Sequence, residues 1–195
     1  MSEVNKLLVA TKNAHKTEEI RAMLGGRWEV SDLTVIPDYA TPLETGLTFQ
    51  DNAAIKALEA SRCFEGLVLA DDSGLEVDAL GGAPGVYSAR FAGPRATDAD
   101  NRKKLLEEMQ WFGAKTSLAR FQCVLVVAKG GKVLAAFDGS VEGKVINQER
   151  GADGFGYDSM FIPNGYQQTF AELSAEVKNQ LSHRSKAMAK LIAYL

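Results

Sequence analysis

The sequence predicts an α/β protein built around a mixed β-sheet. Short apolar runs, such as Leu-Leu-Val at residues 7–9, are typical of strands buried on both faces, and they alternate with segments of helical periodicity. In the second half of the chain, two long strand-like segments flank Gly130-Gly131, a pattern typical of a hairpin. A chain of 195 residues can bury a sizeable core and fits a single domain spanning 1–195, or two small lobes around one cleft.

The first half of the chain alternates predicted strands with two predicted helices. Residues 15–24 carry apolar side chains on one side and end at Gly25-Gly26, and residues 49–64 form an alanine-rich segment with helical spacing. Residues 37–48 are rich in Pro, Thr, Gly and acidic residues and predict a loop. The predicted strands of this half span residues 5–11, 28–31, 34–36, 67–70 and 75–77.

The second half opens with an irregular glycine-rich loop and then a helix. Thr97 or Asp98 is a suitable N-cap for that helix, which is expected to run to about Met109. Short strand patterns and two closing helical patterns follow. The predicted strands span residues 121–128, 133–145 and 160–162, and the predicted helices span residues 174–180 and 183–195.

Composition and charge exclude several classes of protein. A hydrophobic content of 46% and a charged content of 24% exclude disordered and collagen-like chains. The net charge of -3 lacks the basic balance of a nucleic-acid polymer binder, although a few local cations suffice for a nucleotide. No apolar run approaches the roughly 18–20 residues of a membrane span, so we expect no membrane partner and a cytoplasmic location. Cys63 and Cys123 match no metal spacing and predict buried, reduced thiols.

A polar segment separates the first strand from the first helix. A helix N-terminus presents unpaired N–H groups and a positive dipole end, which suit phosphate, and two lysines here add positive charge. The segment is not a Walker A loop, because the glycines and the Gly-Lys-Ser/Thr ending are missing. A capped helix start with solvated lysines is the alternative. The residues concerned are Thr11, Lys12, Asn13, Ala14, His15 and Lys16.

Two adjacent carboxylates, Asp71 and Asp72, follow an apolar strand and precede Ser73 and Gly74. Neighbouring carboxylates repel each other unless a cation or ligand offsets the repulsion. Without a neighbouring His or Cys, such hard oxygen ligands favour Mg²⁺ or Mn²⁺ over zinc. Strand geometry places adjacent side chains on opposite faces, so only one of the two need face a ligand. An Asx turn closed by the glycine is the alternative.

Three further clusters complete the candidate site. Glu44 lies in the acidic loop, and Asn52 and Lys56 share one face of the following helix. Glycines on both sides of Phe155 leave an aromatic face open for stacking, and Asp158 is suited to accept hydrogen bonds from a base edge. Lys178 and the triplet Ser182-His183-Arg184 supply positive charge near the C-terminus. Each cluster taken alone also fits ordinary surface or turn chemistry, but together they indicate metal-dependent phosphoryl chemistry on a nucleotide.

The sequence resembles the inosine triphosphate pyrophosphatase family, whose members are also called Ham1-like proteins. The resemblance extends from Leu8 to nearly the C-terminus. The motifs that carry it, in this order, are Thr-Lys-Asn-Ala-His-Lys at 11–16, Glu-Thr-Gly-Leu-Thr-Phe at 44–49, Asn-Ala at 52–53, Lys-Ala at 56–57, Ala-Asp-Asp-Ser-Gly at 70–74, Leu-Gly-Gly-Ala-Pro-Gly-Val-Tyr-Ser-Ala-Arg at 80–90, Gly-Phe-Gly-Tyr-Asp at 154–158, Ala-Glu-Leu-Ser at 171–174, Lys178 and Ser-His-Arg at 182–184.

The resemblance implies an elongated two-lobed fold with a long central mixed sheet flanked by helices, a nucleotide cleft between the lobes, and a homodimer. It implies hydrolysis of ITP, dITP and XTP to monophosphate and pyrophosphate with Mg²⁺, which removes deaminated purines from the nucleotide pool. Glu44 and Asp72 would hold the metal, and Asp72 would accept the proton of the attacking water. The residues implied to bind substrate are Thr11, Lys12, Asn13, Ala14, His15, Lys16, Lys56, Ser73, Phe155, Gly156, Tyr157, Asp158, Lys178, His183 and Arg184.

Two other functions are compatible with parts of this pattern. A Maf-like nucleotide pyrophosphatase would act on pyrimidine or modified nucleotides, but Phe155 with His183 and Arg184 favours purines. A binding module without turnover is the second alternative. It is disfavoured by the combination of Lys16, Glu44 and Asp72, because a pure binder needs no metal-held water.

Overall fold

The computed structural model describes residues 5–195, which form five α-helices, six strands and several short 3₁₀ turns. The helices are α1 (Ala14–Leu24), α2 (Phe49–Ser61), α3 (Asp98–Trp111), α4 (Ala175–Leu181) and α5 (His183–Tyr194). The strands are β1 (Asn5–Val9), β2 (Trp28–Asp32), β3 (Leu67–Val77), β4 (Thr116–Lys129), β5 (Lys132–Ile146) and β6 (Phe161–Pro163).

The six strands form one sheet in the order β2-β1-β3-β4-β5-β6. Strand β1 is parallel to β2, with Leu7 opposite Val30, and parallel to β3, with Leu7 opposite Leu67. Strands β5 and β6 are antiparallel. Gly130 and Gly131 connect β4 to β5 with φ angles of 56° and 76°, which glycine adopts without steric cost. The predicted α/β class, the mixed sheet and the turn position are therefore confirmed.

The starts of α2 and α3 follow from their N-terminal residues. Thr48 and Asp51 form a capping box at α2, since the Thr48 hydroxyl accepts from the Asp51 N–H while the Asp51 carboxylate accepts from the Thr48 N–H. Thr97 and Asp100 form the same arrangement at α3. Thr97, rather than Asp98, is therefore the N-cap of the predicted helix.

The described chain divides into two compact units, and each has its own apolar core. The first unit contains the residues up to Asp72 together with Cys123–Gly139 and Arg184–Leu195, and the second contains Ser73–Gln122 and Ser140–His183. The first unit contains two apolar clusters. One includes Leu7, Leu69, Leu125 and Met188, and the other includes Leu8, Val68 and Ala57. The second unit packs around Leu105, Met109, Phe121, Met160 and Phe161. The single-domain assignment stays a prediction.

Four sequence predictions differ from the structure. Residues 71–74 do not form a turn but continue β3, because cations on both faces offset the two carboxylates and allow the strand to continue through them. Residues 34–36 are not a strand: Asp32 caps a 3₁₀ turn over Leu33–Val35. The last short strand begins at Phe161, after a 3₁₀ turn over Asp158–Met160. Cys63 is exposed, whereas Cys123 is buried as predicted, and both are free.

No helix within residues 5–195 combines the length and the apolar character that crossing a membrane requires.

Candidate active site

The adjacent carboxylates of Asp71 and Asp72 on β3 occupy different environments, because strand side chains alternate between faces. Leu69 belongs to the apolar cluster that also contains Cys123, and Asp71, two residues later, contacts the Cys123 thiol. Val68 and Ala70 belong to the other cluster of the first unit, and Asp72 continues their alternation. Both carboxylates are buried. The expectation that the two side chains serve different faces is therefore confirmed.

Asp71 is surrounded by cations. Its Oδ1 accepts from the ammonium of Lys16, and its Oδ2 accepts from Arg184 Nε at 2.9 Å and from Cys123 Sγ at 3.3 Å. Burial is the largest influence on the pKa of Asp71 and raises it, but Arg184 and Lys16 outweigh burial and hold that pKa well below its ordinary value. Asp71 is therefore ionised at neutral pH, and both of its oxygens are engaged by cations.

Asp72 shares a single lysine with Glu44. Lys56 Nζ lies 2.7 Å from Asp72 Oδ1 and 3.0 Å from Glu44 Oε1, and it also donates to the backbone carbonyl of Asp71 at 2.8 Å. Burial raises the pKa of Asp72, and Lys56 lowers it by too little to compensate, so the pKa lies above its ordinary value. Burial lowers the pKa of Lys56, but Asp72 and Glu44 outweigh that effect and raise it. A carboxylate with a raised pKa is a stronger proton acceptor than an ordinary one.

Glu44 is brought to this place by a close contact between its loop and the start of α2. The Asn52 side chain accepts a hydrogen bond from the Gly46 N–H at 2.8 Å. A Cβ atom at Gly46 would lie 2.5 Å from Asp51 Cβ and 2.8 Å from Asn52 Oδ1, so only glycine fits there. The predicted shared face of α2 is confirmed, because Asn52 and Lys56 are both buried. Asn52 holds the loop through Gly46, and Lys56 binds Glu44 of that loop.

The donor set of Glu44 and Asp72 fits a magnesium ion. Among residues 5–195, Asp72 Oδ2 is buried and makes no hydrogen bond. Asp72 Oδ1 and Glu44 Oε1 lie 2.7 Å and 3.0 Å from the same Lys56 Nζ. These two carboxylate oxygens are therefore at most 5.7 Å apart. No cluster of three or more His, Cys, Asp or Glu side chains arranged for a metal occurs in the described part of the chain. Mg²⁺ is commonly held by one or two carboxylates together with substrate phosphates.

The segment that precedes α1 is a capped helix start. Asn13 is the N-cap, and its Oδ1 accepts from the backbone N–H groups of His15 at 3.0 Å and Lys16 at 3.4 Å. The Thr11 hydroxyl accepts from the Asn13 N–H, and Lys12 Nζ donates to the Tyr39 carbonyl at 3.3 Å. The prediction that these N–H groups are unpaired is wrong, because the Asn13 side chain satisfies two of them. The role of Thr11, Lys12, Asn13, Ala14, His15 and Lys16 in phosphate binding stays a prediction.

In the second unit, the predicted aromatic platform is held by an ion pair. Lys178 Nζ lies 4.7 Å from the centre of the Phe155 ring and 2.8 Å from Asp158 Oδ2. The same Asp158 oxygen accepts from the Phe155 N–H at 2.9 Å. Gly154 has a φ of 80°, and a Cβ there would lie 2.4 Å from Asp158 Oδ2. The structure therefore uses Asp158 and Lys178 to hold Phe155, and their contact with a base stays a prediction.

Tyr157 and His183, which the resemblance assigns to substrate binding, are buried. Tyr157 is 4% exposed, and its hydroxyl donates to the Ser88 carbonyl at 2.8 Å. Burial raises the pKa of Tyr157. The Gly156 N–H donates to Asp98 Oδ2 at 2.7 Å. His183 is buried and its ring stacks on Phe121 at 4.9 Å. Tyr157 and His183 therefore pack within the core of their unit, and their predicted contacts with substrate stay predictions.

Arg184 and Ser73 complete the predicted set, and the structure adds two residues that sequence reasoning missed. Arg184 is 2% exposed and pairs with Asp71 and with Glu19 of α1. Ser73 follows Asp72 within β3 and is half-buried. Glu19 was missed because nothing in the sequence joins it to a residue far along the chain. Cys123 carried a burial signal, but no sign of its contact with a carboxylate.

The fold and the site define an α/β protein with a buried centre of carboxylates and lysines, which is an arrangement suited to phosphoryl chemistry. A family model described as the Ham1 family matches residues 7–194. This chain belongs to the Ham1 family.

Relatives and solved structures agree over nearly the whole chain. The dITP/XTP pyrophosphatase of Bacillus licheniformis is 45% identical over 193 residues, which cover 98% of this chain and 98% of the relative. That of Geobacillus kaustophilus is 46% identical over 189 residues, covering 96% and 93%. A HAM1 protein from Coxiella burnetii superposes with a TM-score of 0.86 at 36% identity over 97% of this chain and 98% of that one. The Staphylococcus aureus Ham1 protein gives 0.84, also at 36% identity, over 97% of each chain.

Proposed function

We propose that this chain is a nucleoside triphosphate pyrophosphatase that hydrolyses the non-canonical purine nucleotides ITP, dITP and XTP to monophosphate and pyrophosphate. The similarity to dITP/XTP pyrophosphatases over 98% of the chain supports the reaction class. The predicted removal of deaminated purines from the nucleotide pool is the biological consequence of this reaction.

One observation carries the proposal: the environment of Asp72. A buried carboxyl group whose pKa is raised, with one oxygen engaged by Lys56 and the other without a partner in residues 5–195, is suited to accept a proton. The engaged oxygen fixes the orientation of the side chain, and the other can accept a hydrogen bond from a water molecule. We therefore assign to Asp72 the role of accepting the proton from the water molecule that attacks the α-phosphate.

Lys56 and Lys16 supply the positive charge for this chemistry. Charge develops on phosphate oxygens in the transition state, and fixed cations in a water-poor site stabilise it without reorganisation. Lys56 is buried and held by Glu44 and Asp72, and the Lys16 ammonium is held by Asp71. We assign to Lys16, with the rest of the segment at 11–16, the binding of the triphosphate.

Glu44 and Asp72 would hold Mg²⁺, with Mn²⁺ as a substitute, in keeping with their hard oxygen atoms. When bound, the ion would neutralise charge on the triphosphate. Lys56 contacts both carboxylates, so this lysine balances their charge and keeps the two side chains close together.

Recognition of the base is assigned to Phe155 and its neighbours. An aromatic ring backed by the Lys178 ammonium is held in a fixed orientation, and a fixed ring can stack on a purine. Donors aimed at a 6-oxo group would leave adenine with an unpaired contact, which disfavours ATP. The homodimer is implied by the family resemblance alone, and sedimentation of the purified chain tests it. The cytoplasmic location is expected from the lack of a long apolar run.

Pyrophosphate release tests the proposed function. Purified protein with Mg²⁺ is incubated with ITP, XTP, dITP, ATP and GTP, and pyrophosphate is followed over time. Rapid release from the first three, with ATP and GTP nearly inert, is the expected result. GTP is the sharper control, because it also has a 6-oxo group and must be rejected at its 2-amino group. Equal rates for all five, or no release, would contradict the proposal.

A further inference from the structure

A largely buried charge cluster in the first unit joins α1, β3 and α5. Asp71 of β3 contacts Lys16 of α1 and Arg184 of α5, and Arg184 in turn contacts Glu19 of α1. The side chains of Asp71 and Arg184 are 0% and 2% exposed. The four groups are two cations and two carboxylates, so the cluster is neutral as a whole. Burying an unpaired charge is costly, which means that each member depends on the others.

The cluster borders an apolar core that the same three elements build. Ile20 of α1, Leu69 of β3 and Met188 of α5 all belong to one buried cluster of the first unit. Asp71 follows Leu69 on the same face of β3, so its carboxylate extends that face with a charge. The elements that carry Lys16 and Arg184 thus pack against the strand that carries Asp71, next to the ion pairs.

Lys16 occupies an unfavourable place for a cation. It lies in the first turn of α1, where the positive end of the helix dipole disfavours positive charge. The Asn13 side chain accepts from backbone N–H groups of that turn, and the turn itself contains no acidic residue. The Lys16 side chain is 19% exposed, while its Asp71 partner is 0% exposed. The contact with Asp71 therefore brings a negative charge to the ammonium at this helix end.

We infer that Asp71 is a positioning residue that holds the Lys16 ammonium in place for the triphosphate, and that it is not a metal ligand. Both oxygens of Asp71 already accept from cations, whereas Asp72 keeps one oxygen without a partner in residues 5–195. The two adjacent carboxylates thus divide the work: Asp72 faces the reaction and Asp71 fixes a cation. This inference rests on the proposed function, because that proposal assigns the triphosphate to Lys16.

The decisive test is the binding of inorganic tripolyphosphate to the full-length chain, measured by calorimetry without metal. Asp71→Asn removes a negative charge, so electrostatics alone would tighten the binding of an anion. A positioning role predicts the opposite, because the Lys16 ammonium is no longer held. We expect the Kd to rise about tenfold, which corresponds to roughly 1.4 kcal/mol. An unchanged or lower Kd overturns the inference.

Control variants separate positioning from general damage. Cys123→Ala removes the uncharged partner of Asp71 and should leave the Kd unchanged. Lys16→Gln should raise the Kd, and the double variant Asp71→Asn with Lys16→Gln should bind no more weakly than Lys16→Gln alone, because both changes disable the same ammonium. Additive losses in the double variant would contradict the inference.

If Asp71→Asn does not fold, Asp71→Glu keeps the charge but shifts it by one methylene, and an unchanged Kd in that variant also overturns the inference.

Turnover of ITP with Mg²⁺ distinguishes this inference from the proposed function. If the wild-type chain releases pyrophosphate, Asp71→Asn should raise KM more than it lowers kcat. A collapse of kcat with unchanged KM would instead make Asp71 part of the reacting centre and overturn the inference. If the wild-type chain does not release pyrophosphate, the proposed function fails, and the tripolyphosphate measurement still decides the role of Asp71.

Discussion

Lys56 Nζ lies 2.7 Å from the Asp72 carboxylate and donates at 2.8 Å to the backbone carbonyl of Asp71, the preceding residue. One lysine of α2 therefore holds both a side chain and the main chain of β3. This double attachment fixes the direction in which Asp72 points. It also places a permanent positive charge beside the group to which we assign the proton of the attacking water.

Replacing Asp72 with Asn should abolish most turnover and largely spare binding. The amide keeps the shape of the side chain but cannot accept the proton, so we expect kcat to fall by about 100-fold or more. The measurement is steady-state pyrophosphate release from ITP, with calorimetric binding beside it. Asp138→Asn at an exposed position is the matched control and should be unchanged. Undiminished turnover in the Asp72 variant would remove this residue as the proton acceptor.

Removing divalent metal should stop the reaction. We expect EDTA to abolish pyrophosphate release and added Mg²⁺ to restore it, with Mn²⁺ as a substitute, because the assigned ligands are carboxylate oxygens. Glu44→Gln should raise the Mg²⁺ concentration needed for half-maximal activity, whereas Glu29→Gln at an exposed position of β2 should not. Activity that resists EDTA would be incompatible with the proposed role of Glu44 and Asp72.

Replacing Lys56 with Met should destabilise the fold. The change leaves Glu44 and Asp72 without their shared cation, and breaking a buried ion pair costs about 3 kcal/mol. Urea denaturation measures the loss, and Lys132→Met at an exposed position is the control. The double variant Lys56→Met with Asp72→Asn should recover part of the stability, because it also removes an uncompensated charge. A single variant as stable as the wild type would show that the ion pair contributes nothing.

Replacing Gly46 with Ala should displace the loop that carries Glu44. The new methyl group would meet Asp51 Cβ at 2.5 Å, and relieving such overpacking costs about 1–3 kcal/mol. We expect lower thermal stability together with a higher Mg²⁺ requirement for activity. Gly26→Ala is the matched control, since its added Cβ would meet no atom within 4 Å outside its own stretch of chain. Equal behaviour of the two variants would mean that the loop adapts without moving Glu44.

Replacing Tyr157 with Phe distinguishes a core residue from a substrate ligand. The variant loses the hydrogen bond to the buried Ser88 carbonyl, so we expect a loss of about 1 kcal/mol in the free energy of unfolding. The KM for ITP should be unchanged, because the hydroxyl is already engaged within the core. Tyr87→Phe, at a half-exposed position, is the control for removing a phenolic hydroxyl group. A raised KM with unchanged stability would instead favour the substrate contact that the resemblance implies.

The sequence determined most of the elements of this protein and the residue types at its candidate site. Apolar periodicity, Thr caps and paired glycines are local signals, and they located α1, the hairpin turn and the start of α3 correctly. The motif at 70–74 identified the two carboxylates, and strand alternation predicted that they would serve different faces. These features depend on residues close together along the chain, and for that reason one sequence is enough to read them.

Only the tertiary structure decided which partner each charged side chain has. It joined Arg184 to Asp71, 113 residues away, and Glu19 to Arg184, 165 residues away. It also joined the two predicted strands at 67–70 and 75–77 into one continuous strand and so excluded the alternative of a turn at 71–74, because cations from separate elements offset the two carboxylates on opposite faces. Ion pairs of this kind form wherever folding brings burial and opposite charge together, and no local spacing records them. The sequence supplied the charged groups, and the packing of α1, α2 and α5 against β3 assigned their partners.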